Sequence, residues 1–207
     1  MKTERSIIFQ TTNNVPPVLI EAGANGLTKA MTLIPGYSTR FLLPEPIVGS
    51  FKLPKPKQSC CGPQFDVGRL AETVNSLNNN SGKYWNVVLC NHDLYQTGDG
   101  WVVASTIADV ISVISVARFM NPNLSDSEKD LAVTRLVAHE VGHLLGLVER
   151  SYDAVESYGL HCTNVCIMRQ ALTPKRWIRS ALEETESSVD FCASCQGEMF
   201  QCWTQGA

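Results

Sequence analysis

Two histidines four residues apart bracket a glutamate in His139-Glu140-Val141-Gly142-His143, and no other feature limits the possible folds of this chain so strongly. An α-helix turns once in about 3.6 residues, so this spacing sets both imidazoles on one face, where they can grip a single tetrahedral ion. Glu140 points roughly a third of a turn away. It is too far round to join them as a ligand and well placed to take a proton from metal-bound water. Upstream, Ser125-Asp126-Ser127-Glu128 is a capping box, and Leu131, Val133, Leu136 and Val137 carry the helix into the motif before Gly146 closes it. The histidine pair therefore occupies the last two turns of a helix of about five. A pentapeptide of common residues also arises by accident, so the sequence around it has to supply the rest of a site.

With 207 residues and 44% hydrophobic content the chain can bury a real core, and its length fits one domain or one domain with a small appendage. A net charge of -3 gives no electrostatic reason to expect nucleic acid or an anionic membrane surface as partner. The apolar run in Met1–Gln10 is too short for a signal-peptide core, and no segment is long enough to span a bilayer. The expected location is cytoplasmic. Thiols stay reduced there, so the eight cysteines fit metal ligands or buried thiols better than a disulfide framework.

Most of the ten prolines fall between Pro35 and Pro63, which excludes a long helix there and suggests strand fragments and loops. From Phe65, the pattern Val67, Leu70, Ala71, Val74, Leu77 predicts an amphipathic helix, the first of the chain, stopped by Asn78-Asn79-Asn80-Ser81-Gly82. Tyr84–Cys90, Trp101–Ser105 and Val110–Ala117 are rich in β-branched and aromatic residues and read as strands of one sheet. This gives an N-terminal α/β part, residues 1–146, that ends in the histidine-bearing helix. The cysteine-rich remainder, 147–207, reads as a small part held by metal.

A catalytic zinc takes three protein ligands and leaves one position open. Three of the chain's four histidines, His139, His143 and His161, lie close together in sequence. Directly after the third comes Cys162-Thr163-Asn164-Val165-Cys166-Ile167-Met168, and Cys192-Ala193-Ser194-Cys195 adds a CxxC knuckle. Cys162, Cys166, Cys192 and Cys195 could form a closed thiolate site. Two metals, one open and one closed, is the economical reading. Cys60, Cys61, Cys90 and Cys202 have no metal-site spacing and read as free thiols, and Trp177 and Trp203 as packing residues.

The order HExxHxxG, His-Cys, Cys-x-Met and a later CxxC resembles the archaemetzincin family of zinc metallopeptidases. Weaker echoes lie upstream at Gln64-Phe65-Asp66, Asp93-Leu94-Tyr95 and Val113–Arg118, so the likeness covers roughly Gln64 to Cys195. The resemblance implies an α/β, metzincin-like fold: a twisted mixed sheet packed on an active-site helix, with a small zinc-stabilised C-terminal subdomain. It also implies two zinc ions. The catalytic one would rest on His139, His143 and His161, with Glu140 as general base and Met168 beneath, and the structural one on Cys162, Cys166, Cys192 and Cys195. The partner would be a peptide or protein, and the molecule a monomer.

Two departures from the family pattern stand out. Its third histidine follows the motif glycine by three residues, but Glu149 occupies that place here and His161 comes twelve residues later. Either Arg150–Tyr158 is an insertion ahead of the ligand, or Glu149 binds the metal; the kept Gly-Leu-His-Cys context favours His161. The cysteine spacings also differ from the family's, which loop length tolerates cheaply. Tyr158 and Arg169 are candidates to assist an oxyanion. Two rival readings are a catalytically silent, zinc-stabilised binding or regulatory module, and a deformylase-type hydrolase using Cys90.

Overall fold

The computed structural model describes residues 6–34, 42–46, 53–59, 62–77, 84–98, 100–107, 110–148, 154–156 and 160–205. In chain order the elements are β1 (Ser6–Thr11), α1 (Pro17–Met31), β2 (Leu42–Pro46), β3 (Lys57–Ser59), β4 (Gly62–Asp66), α2 (Val67–Leu77), β5 (Tyr84–Cys90), β6 (Asp93–Gln96), β7 (Gly100–Val102), β8 (Ala104–Ile107) and β9 (Ile111–Ser115). After them come α3 (Asp126–Leu144), β10 (Ala154–Glu156), β11 (Leu160–Cys162), α4 (Pro174–Ser187) and α5 (Ala193–Gln205).

The main sheet has the order β2-β1-β5-β9-β8, parallel except for β8, which runs antiparallel at the edge. Its central strand, Tyr84–Cys90, is an almost unbroken apolar run, as a strand covered on both faces should be. Side chains alternate along it. Val87 and Leu89 join the core that holds Leu27 of α1 and Leu136 of α3, while Val88 and Cys90 join a second core with Leu70 and Val74 of α2. The result is a mixed sheet between α1 and α3 on one side and α2 on the other. Each fully buried leucine or valine in these layers contributes about 1.5–3 kcal/mol by leaving water.

Three sequence expectations meet a different outcome here. The helix at Val67–Leu77 forms, capped by Asp66 Oδ1 accepting from the Arg69 N–H, but it is the second helix. Local signals for α1 are weak: it has no side-chain cap and contains Gly23 and Gly26. Packing makes it. Thr134 Oγ1 of α3 donates to the Ala22 carbonyl at 3.1 Å, and a Cβ at Gly26 would collide with the Thr134 carbonyl, so glycine lets the two helices close on each other. The run Trp101–Ser105 is split between two sheets, since β7 closes a smaller sheet of order β3-β4-β6-β7 and β8 edges the main one. The third strand is shorter than expected, Ile111–Ser115, and turns into a 3-10 segment at Ala117–Phe119. The proposed helix stop at 78–82 lies outside the described residues.

Helix α3 is the scaffold of the site. Its capping box is complete: Ser125 Oγ accepts from the Glu128 N–H at 3.2 Å, and Glu128 Oε2 accepts from the Ser125 N–H at 2.8 Å. It ends at Leu144, two residues before Gly146 at φ 85°. No helix among the described residues is long and apolar enough to cross a membrane.

Candidate functional site

His139 and His143 project from the last turns of α3, and β11 brings His161 opposite them. The segment Ala154–Glu156 pairs antiparallel with β11, Val155 facing His161 in register, so part of the insertion pairs with the ligand-bearing strand. Glu149 lies outside the described residues. The three imidazoles each offer a nitrogen within 4.8 Å of the others, with ring centroids 4.8, 5.2 and 5.3 Å apart.

The donor spacing can be tested against a metal. Nitrogens placed tetrahedrally at 2.0–2.1 Å from one zinc lie about 3.3–3.4 Å apart, and His139 Nε2 and His143 Nε2 are 3.2 Å apart. His139 Nδ1 bonds the Ile167 carbonyl at 2.7 Å; with the proton on Nδ1, Nε2 turns its lone pair to the cluster. Burial, followed by the charges of its neighbours, pushes the His139 pKa well down, and burial with His161 nearby lowers that of His143 to about 4. All of this favours neutral imidazoles, the form that binds metal.

Met168 lies fully buried under the pair. A Cβ at Gly142 would collide with its Sδ, so the glycine inside the motif lets the sulfur seat against α3. Trp177 of α4 stands edge-on to the His139 ring with centroids 5.2 Å apart; it packs as expected and also walls the cavity.

Glu140 faces β8. Thr106 Oγ1 donates to its Oε2 at 2.8 Å and shares a 2.6 Å hydrogen bond with Ser112 Oγ. Burial raises the Glu140 pKa to about 7, partly offset by the Thr106 bond. Nothing in the sequence tied Thr106 to Glu140, because the contact exists only once the sheet edge lies on α3. The histidines and Glu140 line a cavity of about 770 Å³, between Ala104–Thr106 on one side and Ala171–Thr173 with Trp177 on the other. At its rim Val148 takes φ 67°, costly for a β-branched residue, with its N–H bonded to Glu198 Oε2 of α5 at 2.8 Å.

The second cluster begins one residue after His161. Cys162, Cys166, Cys192 and Cys195 bring four sulfurs within 4.8 Å of one another. Tetrahedral thiolates at 2.3 Å from zinc would lie about 3.8 Å apart, and the pairs Cys162–Cys192 and Cys166–Cys195 are separated by 3.7 and 3.6 Å. Thiol hydrogen bonds from Cys166 and Cys195 favour charge on Cys162 and raise the pKa of the two donors. Four sulfur donors at these separations match the closed tetrahedral set that zinc takes. Both donor sets fit zinc.

Two other candidates are placed elsewhere. Cys90 is fully buried in the core on the α2 side, its thiol pushed up to about 12 by burial, which removes the structural basis for a deformylase-like role. The Arg169 guanidinium bonds Glu183, not the cavity. Tyr158, Cys60 and Cys61 lie outside the described residues, as do the side chains of Cys202 and Trp203.

A mixed α/β sheet laid on a helix that presents two histidines, with a third histidine and a buried methionine below, defines a metzincin-like fold. No family model matches the sequence, and no curated protein does. Solved structures do match. The archaemetzincin of Methanopyrus kandleri aligns over 98% of both chains with a TM-score of 0.67 and 19% identity. A zinc-dependent peptidase from Methanocorpusculum labreanum aligns over 94% of this chain and all of its own, with a TM-score of 0.65 and 16% identity. The archaemetzincin of Archaeoglobus fulgidus, complexed with malonate, covers 92% and 98% with a TM-score of 0.59 and 20% identity. The chain has the archaemetzincin fold, and the likeness takes in the first 60 or so residues, for which the sequence motifs offered no counterpart.

Proposed function

We propose that this protein is a zinc-dependent metallopeptidase, with a catalytic ion on His139, His143 and His161 and a structural ion on Cys162, Cys166, Cys192 and Cys195. The observation that carries the reading is the pairing of a three-histidine donor set, spaced for one ion, with a buried carboxylate on the same helix at the floor of one cavity. Zinc in such a site supplies Lewis acidity and makes an attacking water available near neutral pH.

The chain's own residues do the rest. Glu140 acts as general base, taking a proton at its carboxylate and returning it to the leaving amine, while Thr106 holds Oε2 and so fixes the plane of the group. The desolvated setting that raises its pKa suits a group that must both accept and donate near neutrality. An extended peptide would lie along β8, the antiparallel edge of the main sheet, its main chain bonding the strand and its side chains spreading toward Leu172 and Trp177. The reading treats residues 1–207 as one peptidase domain, with parts 1–146 and 147–207 meeting at the histidine cluster, acting as a monomer in the cytoplasm, whose reducing conditions suit a four-thiol site.

Elemental analysis of purified protein, combined with a peptide-library cleavage assay, tests this directly. The expected result is two zinc equivalents and cleavage abolished by a chelator. One equivalent would sink the two-site assignment, and full loading without cleavage of any peptide would favour the silent binding module.

A further inference from the structure

The two clusters are joined by more than the peptide bond between His161 and Cys162. Arg135 lies on α3 one turn before His139 and is 2% exposed. Its Nε donates to both carboxylate oxygens of Glu184 on α4 at 3.0 Å, and its Nη2 lies 2.9 Å from Glu184 Oε1. The same Nη2 donates to the carbonyls of Cys166 at 3.1 Å and Arg169 at 2.8 Å. One guanidinium therefore clamps both ends of the loop 166–169. Between the clamped carbonyls sit Ile167, whose own carbonyl meets His139 Nδ1, and Met168, which fills the gap at Gly142. The loop begins at Cys166, a member of the sulfur cluster. Arg135 also lies over the Trp177 ring, at 4.7 Å, and that ring packs against His139.

We infer that Arg135 and Glu184 form a positioning pair that couples the two clusters, holding loop 166–169 so that metal on the four cysteines tightens metal binding by the three histidines. A buried ion pair is by itself weak grounds for a stability role, because well-packed apolar residues of similar size often replace one without loss. Here the guanidinium does something such residues cannot, since it supplies donors to the two carbonyls that bound the loop. Residues just beyond metal ligands commonly change affinity roughly 10- to 100-fold. The coupling must also be reciprocal, so filling the histidine site would tighten the cysteine site by the same factor.

The inference rests on both clusters holding metal, so the first measurement is cobalt(II) titration of metal-free wild-type protein. Thiolate ligation adds a charge-transfer band that imidazole ligation lacks, and the two sites are read separately. Arg135→Met/Glu184→Leu should still fold in the metal-free state, yet bind cobalt at the histidine cluster roughly 10- to 100-fold more weakly. Cys195→Ala should weaken the histidine cluster in the wild-type background and have no such effect in the double variant. Unchanged affinity in the double variant, or an equal effect of Cys195→Ala in both backgrounds, overturns the coupling while leaving the peptidase reading intact. One cobalt equivalent on the wild type overturns the coupling and the two-site assignment, and an empty histidine cluster overturns the peptidase reading as well. If the double variant does not fold, Arg135→Lys and Glu184→Gln carry the same comparison, with a smaller loss of affinity expected and an unchanged affinity again decisive against it.

Discussion

The histidine cluster and the cysteine cluster are adjacent in sequence at His161 and Cys162, yet they are built on opposite plans. Three imidazoles leave the fourth direction to a cavity of about 770 Å³, while four sulfurs close on themselves with pair separations of 3.7 and 3.6 Å. An ion among the sulfurs has all its ligands from protein and serves to hold chain; one among the imidazoles keeps a position for chemistry. What separates the plans is the supporting structure. Two of the histidines ride on a five-turn helix braced by α1 and the sheet, whereas the sulfurs come from the end of β11, a short loop and the start of α5, which a metal would tie together.

That contrast is open to experiment, beginning where the effect should be largest. Cys195→Ala leaves three thiols for a site that needs four, so the metal's contribution to folding is largely lost; thermal unfolding should shift down by many degrees, and a chelator should shift wild type the same way. Stability unaffected by either would show that the cysteine cluster is not a structural site. Glu140→Ala should retain both ions and lose roughly 10²–10⁴-fold in peptide turnover, so retained activity in a fully loaded variant would remove the base. His161→Ala should empty the histidine cluster and spare the sulfurs, whereas Glu149→Ala should leave both filled; the opposite pattern would move the third ligand to Glu149.

Gly142→Ala forces Met168 off α3 and should cost about 1–3 kcal/mol by overpacking, measured by denaturant unfolding. The smallest effect concerns pH in the metal-free protein. The His143 pKa is lowered from 6.5 to about 4, so the unfolded chain binds the proton more readily and stability falls as pH drops from about 6.5 toward 4. His143→Gln should flatten that slope in pH-dependent unfolding.

Much of this architecture was legible locally. Ser125 to Glu128 announced the start of α3 and Gly146 its end, and both are realised, because capping and helix termination are settled within a few residues. Tyr84–Cys90 announced a strand just as locally, by its run of β-branched and aromatic residues. Helix α1 was not legible. Its glycines weaken it alone, and it gains stability by packing on the sheet and on α3, where Thr134 lies more than a hundred residues away. The passage from β7 to β8 was likewise hidden, since which sheet a strand joins depends on partners and not on its own residues.

The donor types and their spacings, His139, His143 and His161 with the four cysteines, were determined by the sequence alone, and so was the chemistry they can support. Tertiary structure decided the rest: that His161 reaches the helix pair despite the insertion, that Thr106 holds Glu140, and that Arg135 and Glu184 clamp the loop between the clusters. The physical reason is one of range. Helix periodicity and metal-site spacing act over a few residues and leave a trace in the order of amino acids, whereas a buried polar contact between distant segments leaves none until the backbone brings its partners within hydrogen-bonding distance.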